Sequence, residues 1–366
     1  MTRVVYPHPL DYTAGMKYSL TRLKVDYEYK PGPENFAVRE VVDHALISRS
    51  AEQAGRDSYI VIRVVKKGVD TLEALRVLSR RLGLPPENIY FHGLKDKNAT
   101  TTSYFYVRRL LIDEKILPFE EGNVSFRVEG YLEAKQKGLL KGNEFEVTLK
   151  DVKNSLPEAI KKIMYLIERH GLPAYYGYQR FGARRHNTHI LGKLIITGRE
   201  DLFATWLLKA IYPLEDLDAT VRRLEGSYRN LYYESLYTGS RYSSLGLKRF
   251  ARSLHGLAVD AYASYLFNLL LNSIIERRGY LKLDNSYPMP GCSSAVELYR
   301  EILRIEGVSV EKIRLLPCFY RKGMFKPLNT ELTCNGGVCR LKFTLEPGQY
   351  ATVVLRELFK DNLVLS

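Results

Sequence analysis

The run Tyr59-Ile60-Val61-Ile62-Arg63-Val64-Val65 constrains the fold more than any other stretch of this chain. It is β-branched and almost continuously apolar, which predicts a strand buried on both faces. A strand of that kind needs partners at both edges and packed layers above and below. A helix follows it: Asp70 or Thr71 caps the start, Leu72, Leu75, Val77, Leu78 and Leu82 form the inner side, and Gly83 with Pro85 and Pro86 ends it. Ile89 to Phe91 and Tyr104 to Val107 read as further strands. Between those two runs lies Gly93-Leu94-Lys95-Asp96-Lys97-Asn98-Ala99-Thr100-Thr101, with one carboxylate between two lysines. Its residue types are those of an ordinary charged turn. Its place at a strand end is also where a rigid sheet can aim a reactive side chain.

The rest of the chain follows a strands, helices, strands order. Phe36 to Val42 alternates as a strand does, and Val124 to Val128 and Asn143 to Leu149 read likewise. Ser155 to Glu158 has the capping-box pattern and predicts a helix with Ile160, Ile163, Met164 and Ile167 inward, ended by Gly171. From about Leu191 helical patterns dominate: Glu200 to Ile211, Leu214 to Leu224, Ala251 to Glu276, and Val296 to Ile305, the last opened by a second capping box from Ser294 to Glu297. A tyrosine-rich stretch with Tyr228, Tyr232, Tyr233, Tyr237 and Tyr242 lies among them and reads mostly as core. Leu341 to Leu345 is again a strand, and Ala351 to Lys360 a final helix. The fold class expected is α+β: a mixed, mainly antiparallel sheet with flanking helices, interrupted by a mostly helical insertion.

A net charge of +14 favours a polyanionic partner, nucleic acid being the simplest. No run of 18 or more apolar residues occurs, and the first residues lack an apolar signal core, so no membrane association and a cytoplasmic location are the expectation. Cys292, Cys318, Cys334 and Cys339 show no C-x-x-C pair and no common zinc pattern, so no metal is expected. Cys334 and Cys339 flank a hairpin turn and are expected to be free, part-buried thiols rather than a disulfide.

Five stretches resemble, in order, the motifs of the archaeal-type TruD family of tRNA pseudouridine synthases. They are Asn35-Phe36-Ala37-Val38-Arg39-Glu40, then Gly93-x-Lys95-Asp96-x-x-Ala99-x-Thr101, then Gly138-Leu139-Leu140-Lys141-Gly142-Asn143-x-Phe145. Pro173-Ala174-Tyr175-Tyr176-Gly177-x-Gln179-Arg180-Phe181-Gly182 follows, and Phe343-x-Leu345-x-Pro347-Gly348-x-Tyr350-Ala351-Thr352 with Leu355-Arg356-Glu357-Leu358 closes the set. The resemblance runs from about Lys30 to Lys360. It implies a pseudouridine synthase catalytic domain formed by residues 1–190 and 315–366, with a family-specific insertion at 191–314.

The resemblance further implies isomerisation of uridine to pseudouridine in tRNA, at uridine 13, with uridine 35 of a tyrosine tRNA precursor as the alternative. That reaction consumes no nucleotide, flavin or metal, so no cofactor is expected, and a monomer is favoured. Asp96 is the implied catalytic carboxylate, and it must be ionised to act as nucleophile or base. Lys30 is the implied cation that keeps it so. Phe36, which local pattern alone makes a core residue, is the implied stacking partner for an extruded base. Lys95, adjacent to Asp96, is expected to face phosphate. Gln179, Arg180 and Phe181, with Arg184, Arg185, His186 and His189 close behind, are expected at backbone or base; a solvated basic turn is the plainer alternative. Lys135, Lys137 and Lys141 form a second basic candidate patch. Four family positions differ: Asn35 stands where an aspartate is usual, Ser103 where a glutamine is common, Ala174 where an asparagine is usual, and Tyr176 where a phenylalanine is. The missing amide leaves room for a different class of protein, an RNA-binding tRNA chaperone with weak turnover or none.

Overall fold

A computed structural model describes residues 4–5, 9–55, 57–93, 95, 97–133, 139–153, 155–182, 186–199, 202, 206 and 244–365. Its main feature is a nine-stranded sheet. The strands are β1 (Phe36–Val42), β2 (Tyr59–Lys67), β3 (Ile89–Phe91), β4 (Thr100–Arg108), β5 (Phe119–Glu121), β6 (Val124–Leu132), β7 (Leu140–Leu149), β8 (Leu328–Asn335) and β9 (Val338–Leu345). The order in space is β8-β9-β7-β1-β4-β2-β6-β5, with β3 also paired to β4. Only β1 and β4 run parallel; the other pairings within this sheet are antiparallel.

The expected double burial of β2 is realised. Ile60, Ile62 and Val64 pack on one face with Phe105, Val107 and Phe126, beneath helix α1 (Thr71–Leu82). Tyr59 and Val61 pack on the other with Val42, Ile47, Tyr104 and Tyr106. The Asp70 carboxylate accepts from the Glu73 amide to cap α1, and Gly83 closes it in the left-handed conformation. Leu72 departs from its expected inner position and is 44% exposed. The other long helices among the described residues are α2 (Leu156–His170), α3 (Thr188–Thr197), α4 (Ser244–Arg278), α5 (Val296–Glu306) and α6 (Ala351–Phe359).

One large core joins β1, β7 and β9 to α2, α4 and α6. Phe36, Phe145 and Phe343 from the strands meet Ile163 and Ile167, Leu266 and Phe267, and Val354 and Leu358 from the helices. The segment Ala261–Asn268 therefore belongs to the same core as the sheet. Residues 255–278 of α4 are long and apolar enough to cross a membrane by composition, but they are mostly packed inside the protein. The helices expected at 200–211 and 214–224, and the tyrosine-rich stretch, lie outside the described residues.

Neither expected capping box forms. Ser155 is itself helical in backbone (φ −79°, ψ −15°) and makes no side-chain cap, while Glu158 turns to Lys161 at 2.8 Å. Ser294 sits inside a short 3-10 turn, and its hydroxyl meets the Tyr320 hydroxyl at 2.9 Å. A box needs an extended N-cap residue, and both serines are already wound into the turn. The expectation of free thiols is also corrected. Cys334 and Cys339 are directly opposite across the Gly336-Gly337 turn, 4.1 Å apart at Cα, and form a disulfide. Cys292 and Cys318 form another.

Gly192 is where α3 crosses α4. A Cβ there would lie 2.0 Å from the Ala258 carbonyl oxygen, a backbone atom that cannot rotate away. Gly192→Ala is expected to cost about 1–3 kcal/mol through this overpacking, measured by urea unfolding against the wild-type chain.

Candidate active site

A cleft opens beside the start of β1. Its lining includes Pro31, Phe36, Lys97, Asn98, Tyr178, Gln179, His186, Thr352, Val364 and Leu365. Its mouth is open to solvent. One wall is the turn before β1. Asn35 folds it: the side-chain oxygen accepts from the Gly32 amide at 2.8 Å, and the side-chain nitrogen donates to the Lys30 carbonyl at 3.0 Å. An aspartate, the residue usual in the resembling motif, has no hydrogen for the second bond when ionised. Phe36 then enters β1 and stacks on Phe145, which stacks on Phe343. Phe36 is thus held by core aromatics while also lining the cleft.

The opposite wall is the 173–182 stretch, held by α6. Gly177 lets α6 approach, since a Cβ there would sit 2.4 Å from Thr352 Oγ1. The Thr352 hydroxyl donates to Gln179 Oε1 at 2.9 Å, which leaves the amide nitrogen available to a bound molecule. Tyr178 donates to Asp11 Oδ1 at 2.5 Å, and Arg356 Nε donates to the same oxygen at 2.8 Å. Asp11 and Arg356 are both buried. Burial works against the arginine's charge, but Asp11 beside it prevails and raises the guanidinium's pKa above its ordinary value.

The departures from the family motif have visible surroundings. Ala174 is buried, and its carbonyl accepts from Arg321 through Nε at 3.2 Å and Nη2 at 3.1 Å. Arg321 also lies over the Tyr176 ring at 4.1 Å. The added Tyr176 hydroxyl meets Met289 Sδ at 3.7 Å.

The third side of the cleft is the 93–101 loop. Asp96 itself lies outside the described residues. Its neighbours diverge. Lys97 and Asn98 are exposed and line the cleft. Lys95 turns inward: its ammonium is 3.0 Å from Glu40 Oε1, with the lysine side chain 10% exposed and the glutamate 1%. The expectation that Lys95 faces phosphate is therefore not what the geometry gives, because a buried carboxylate claims its charge.

Of the other expected site residues, Phe36 and Gln179 share the cleft. Lys30 is exposed on the turn next to Pro31, with its carbonyl held by Asn35. Arg180 is drawn to α4, where it bonds Ser264 at 3.1 Å and pairs with Asp260 at 3.3 Å. Phe181 is fully buried, edge-on to His189. Neither Arg180 nor Phe181 lines the cleft. Arg184, Arg185, Lys135 and Lys137 lie outside the described residues, and Lys141 pairs with Asp43 at 3.1 Å on the surface. Glu40, Lys66, Thr71, Tyr178 and Thr352 had no part in the site expected from sequence. For Glu40 a signal existed: Phe36, Val38, Glu40 and Val42 share the inward face of β1, so a carboxylate stands in a row of apolar positions. Among the described residues, no three His, Cys, Asp or Glu side chains converge as a metal-ligand set.

The fold thus sets a cleft lined by Phe36 and Lys97 into a mixed sheet with a parallel β1–β4 pair, on a chain of net charge +14. The family model described as tRNA pseudouridine synthase D (TruD) matches residues 14–287. A tRNA pseudouridine synthase D from Aquifex aeolicus is 27% identical, covering 92% of this chain and 98% of its own. A Methanopyrus kandleri protein named as a probable tRNA pseudouridine synthase D is 30% identical over 83% of this chain and 86% of its own. The crystal structure of a TruD candidate from Methanosarcina mazei superposes with a TM-score of 0.64 at 22% identity, covering 96% of this chain and 98% of its own, and supports the fold. The chain belongs to the TruD family of tRNA pseudouridine synthases, which are isomerases.

His189, expected at RNA, is instead 5% exposed and stacked on Tyr265 at 4.8 Å. Burial, with the nearby charges of His186 and Lys193 adding to it, lowers its pKa to about 3. The unfolded chain takes up this proton near pH 6.5, whereas the folded chain does not until far lower pH. Stability from this group is therefore complete above about pH 6.5 and declines as the pH falls toward 3. His189→Phe is expected to flatten that part of the profile, read as a smaller loss of urea-unfolding free energy between pH 7 and pH 5.

Proposed function

We propose that this protein converts uridine 13 of tRNA to pseudouridine in the cleft between β1, the 93–101 loop and α6, with Asp96 as the reacting carboxylate. The observation that carries this reading is the convergence of Lys97 and Asn98, which follow Asp96 directly, with Phe36 and Gln179 on one cleft. The N1–C1′ bond of the uridine breaks, the C5–C1′ bond forms, C5 loses a proton and N1 gains one. Nothing is oxidised and no donor is consumed. A carboxylate serves this reaction by attacking the sugar or the base, or by removing a proton, and each role uses the ionised form.

The remaining cleft side chains divide the work of binding. The uridine leaves its stack, and Phe36 offers a ring held rigid by Phe145. The Gln179 amide nitrogen, oriented by Thr352, suits a pyrimidine carbonyl. Lys97 at the rim, with Lys30 exposed nearby in sequence to Pro31, suits the flanking phosphates. Arg180 and Phe181 act in this reading as supports of the 173–182 wall.

Purified protein incubated with a tRNA transcript and no additive is expected to yield pseudouridine at position 13, mapped by carbodiimide modification and primer extension. Asp96→Asn is expected to abolish the product while tRNA affinity stays within about threefold, because phosphate contacts carry most of it. Undiminished product from the variant ends the assignment of Asp96. A product at position 35 of a tyrosine tRNA precursor moves the target, and tight binding with no product from the wild-type chain favours the chaperone reading.

A further inference from the structure

Lys95 is gripped at both ends of its peptide unit and at its side-chain tip. Its amide donates to Thr71 Oγ1 at 2.9 Å. Its carbonyl oxygen has the Lys66 ammonium and the Thr71 hydroxyl at 3.4 Å each. Its own ammonium meets Glu40. The three side chains that do this come from β2, the first residue of α1, and β1. All three are buried, with Lys66 at 1% and Glu40 and Thr71 at 2% exposure.

We propose that Glu40, Lys66 and Thr71 are positioning residues that set the peptide plane leading into Asp96, and that the buried Glu40–Lys95 pair serves the chemical step rather than the stability of the fold. The proposal rests on the reading of Asp96 as the reacting group. Two physical points support it. A buried ion pair is a poor way to stabilise a protein, since desolvation offsets most of its attraction and an apolar pair would fill the space as well. It does fix direction. The Lys95 carbonyl also belongs to the peptide that begins Asp96, whose Cα is about 3.8 Å further on. Holding that oxygen and the preceding amide fixes Lys95 at the entry to the reacting residue. The anchor is sound at its far end, because the second Glu40 oxygen accepts from the Tyr104 amide of β4 at 2.9 Å. Lys66 is in this account a buried cation beneath the loop, its ammonium donating also to the Val69 carbonyl at 2.7 Å.

The test compares wild type, Glu40→Gln, the double variant Glu40→Gln/Lys95→Met, and Thr71→Val. Turnover is followed by tritium release from 5-labelled tRNA, folding by thermal melting, and the loop by hydrogen exchange of the 92–99 amides without RNA. Glu40→Gln strands the lysine charge and is expected to lower the melting temperature. The double variant removes both charges and is expected to recover most of that loss. Its kcat is expected to stay about 100-fold down, as for a reacting group displaced by an ångström, with KM within about threefold, and its loop amides are expected to exchange faster. A double variant that regains wild-type kcat with unchanged loop exchange overturns the proposal. Should that variant fail to fold, Thr71→Val decides by the same two readings, with about a tenfold fall in kcat and faster exchange expected. If the wild-type chain makes no pseudouridine, the functional reading fails by itself, and the exchange measurement still decides whether these side chains hold the loop.

Discussion

The organisation of this molecule depends on how one edge of β4 is shared. β2 covers the other edge along its whole length, from Tyr59 opposite Arg108 to Lys67 opposite Thr100. On the shared edge, β1 pairs parallel with Thr100 to Thr102, and β3 pairs antiparallel with Phe105 to Val107. Two strands of opposite direction cannot continue each other's ladder, so the edge has a break between them. A backbone amide left in such a break needs an acceptor. Glu40 supplies it at Tyr104, and in doing so brings a buried negative charge to the place where the chain leaves β3 and enters the loop. The requirement of the ladder and the anchoring of the loop are met by one side chain.

The cleft also depends on contacts between parts of the chain remote in sequence. Arg356 of α6 reaches Asp11 and, through Nη1 at 3.1 Å, the Tyr18 carbonyl. Glu357 accepts from the Leu20 and Thr21 amides at 3.1 and 3.0 Å and from Lys360. Burial draws the Lys360 pKa down to about 8 against the pull of Glu357. These polar groups are buried and pair with one another, which gives direction to a contact that apolar packing alone would leave adjustable. The same helix presents Thr352 to Gln179, so the long-range network is transmitted to the cleft wall.

What was legible in the sequence was what local periodicity carries. β1 and the last strand, β9, are set by alternation, β2 by continuous apolarity, and α1 by its cap and its glycine stop. The capping boxes at Ser155 and Ser294 misled because the motif is defined by residue types, whereas the bond depends on whether the first serine is still extended. The site was legible as a set of motifs but not as a set of contacts. Arg180 and Lys95 each carry a charge that reads equally well as facing RNA or facing a carboxylate, and Asp260 and Glu40 are far away in sequence. The pairing of Cys292 with Cys318 was hidden for the same reason, since it depends on the turn after Met289 meeting the segment before Phe319.

The turn before β1 is joined through Tyr29 to the segment that follows α6: the Tyr29 amide donates to the Asn362 carbonyl at 2.8 Å and its carbonyl accepts from Val364 at 2.9 Å. That turn is synthesised well before α6 and the segment that follows it. During synthesis the apolar ring of Phe36 therefore waits for α6, and the cavity takes shape only as that helix docks. The cleft is in this sense completed only after the strands of the sheet have been made.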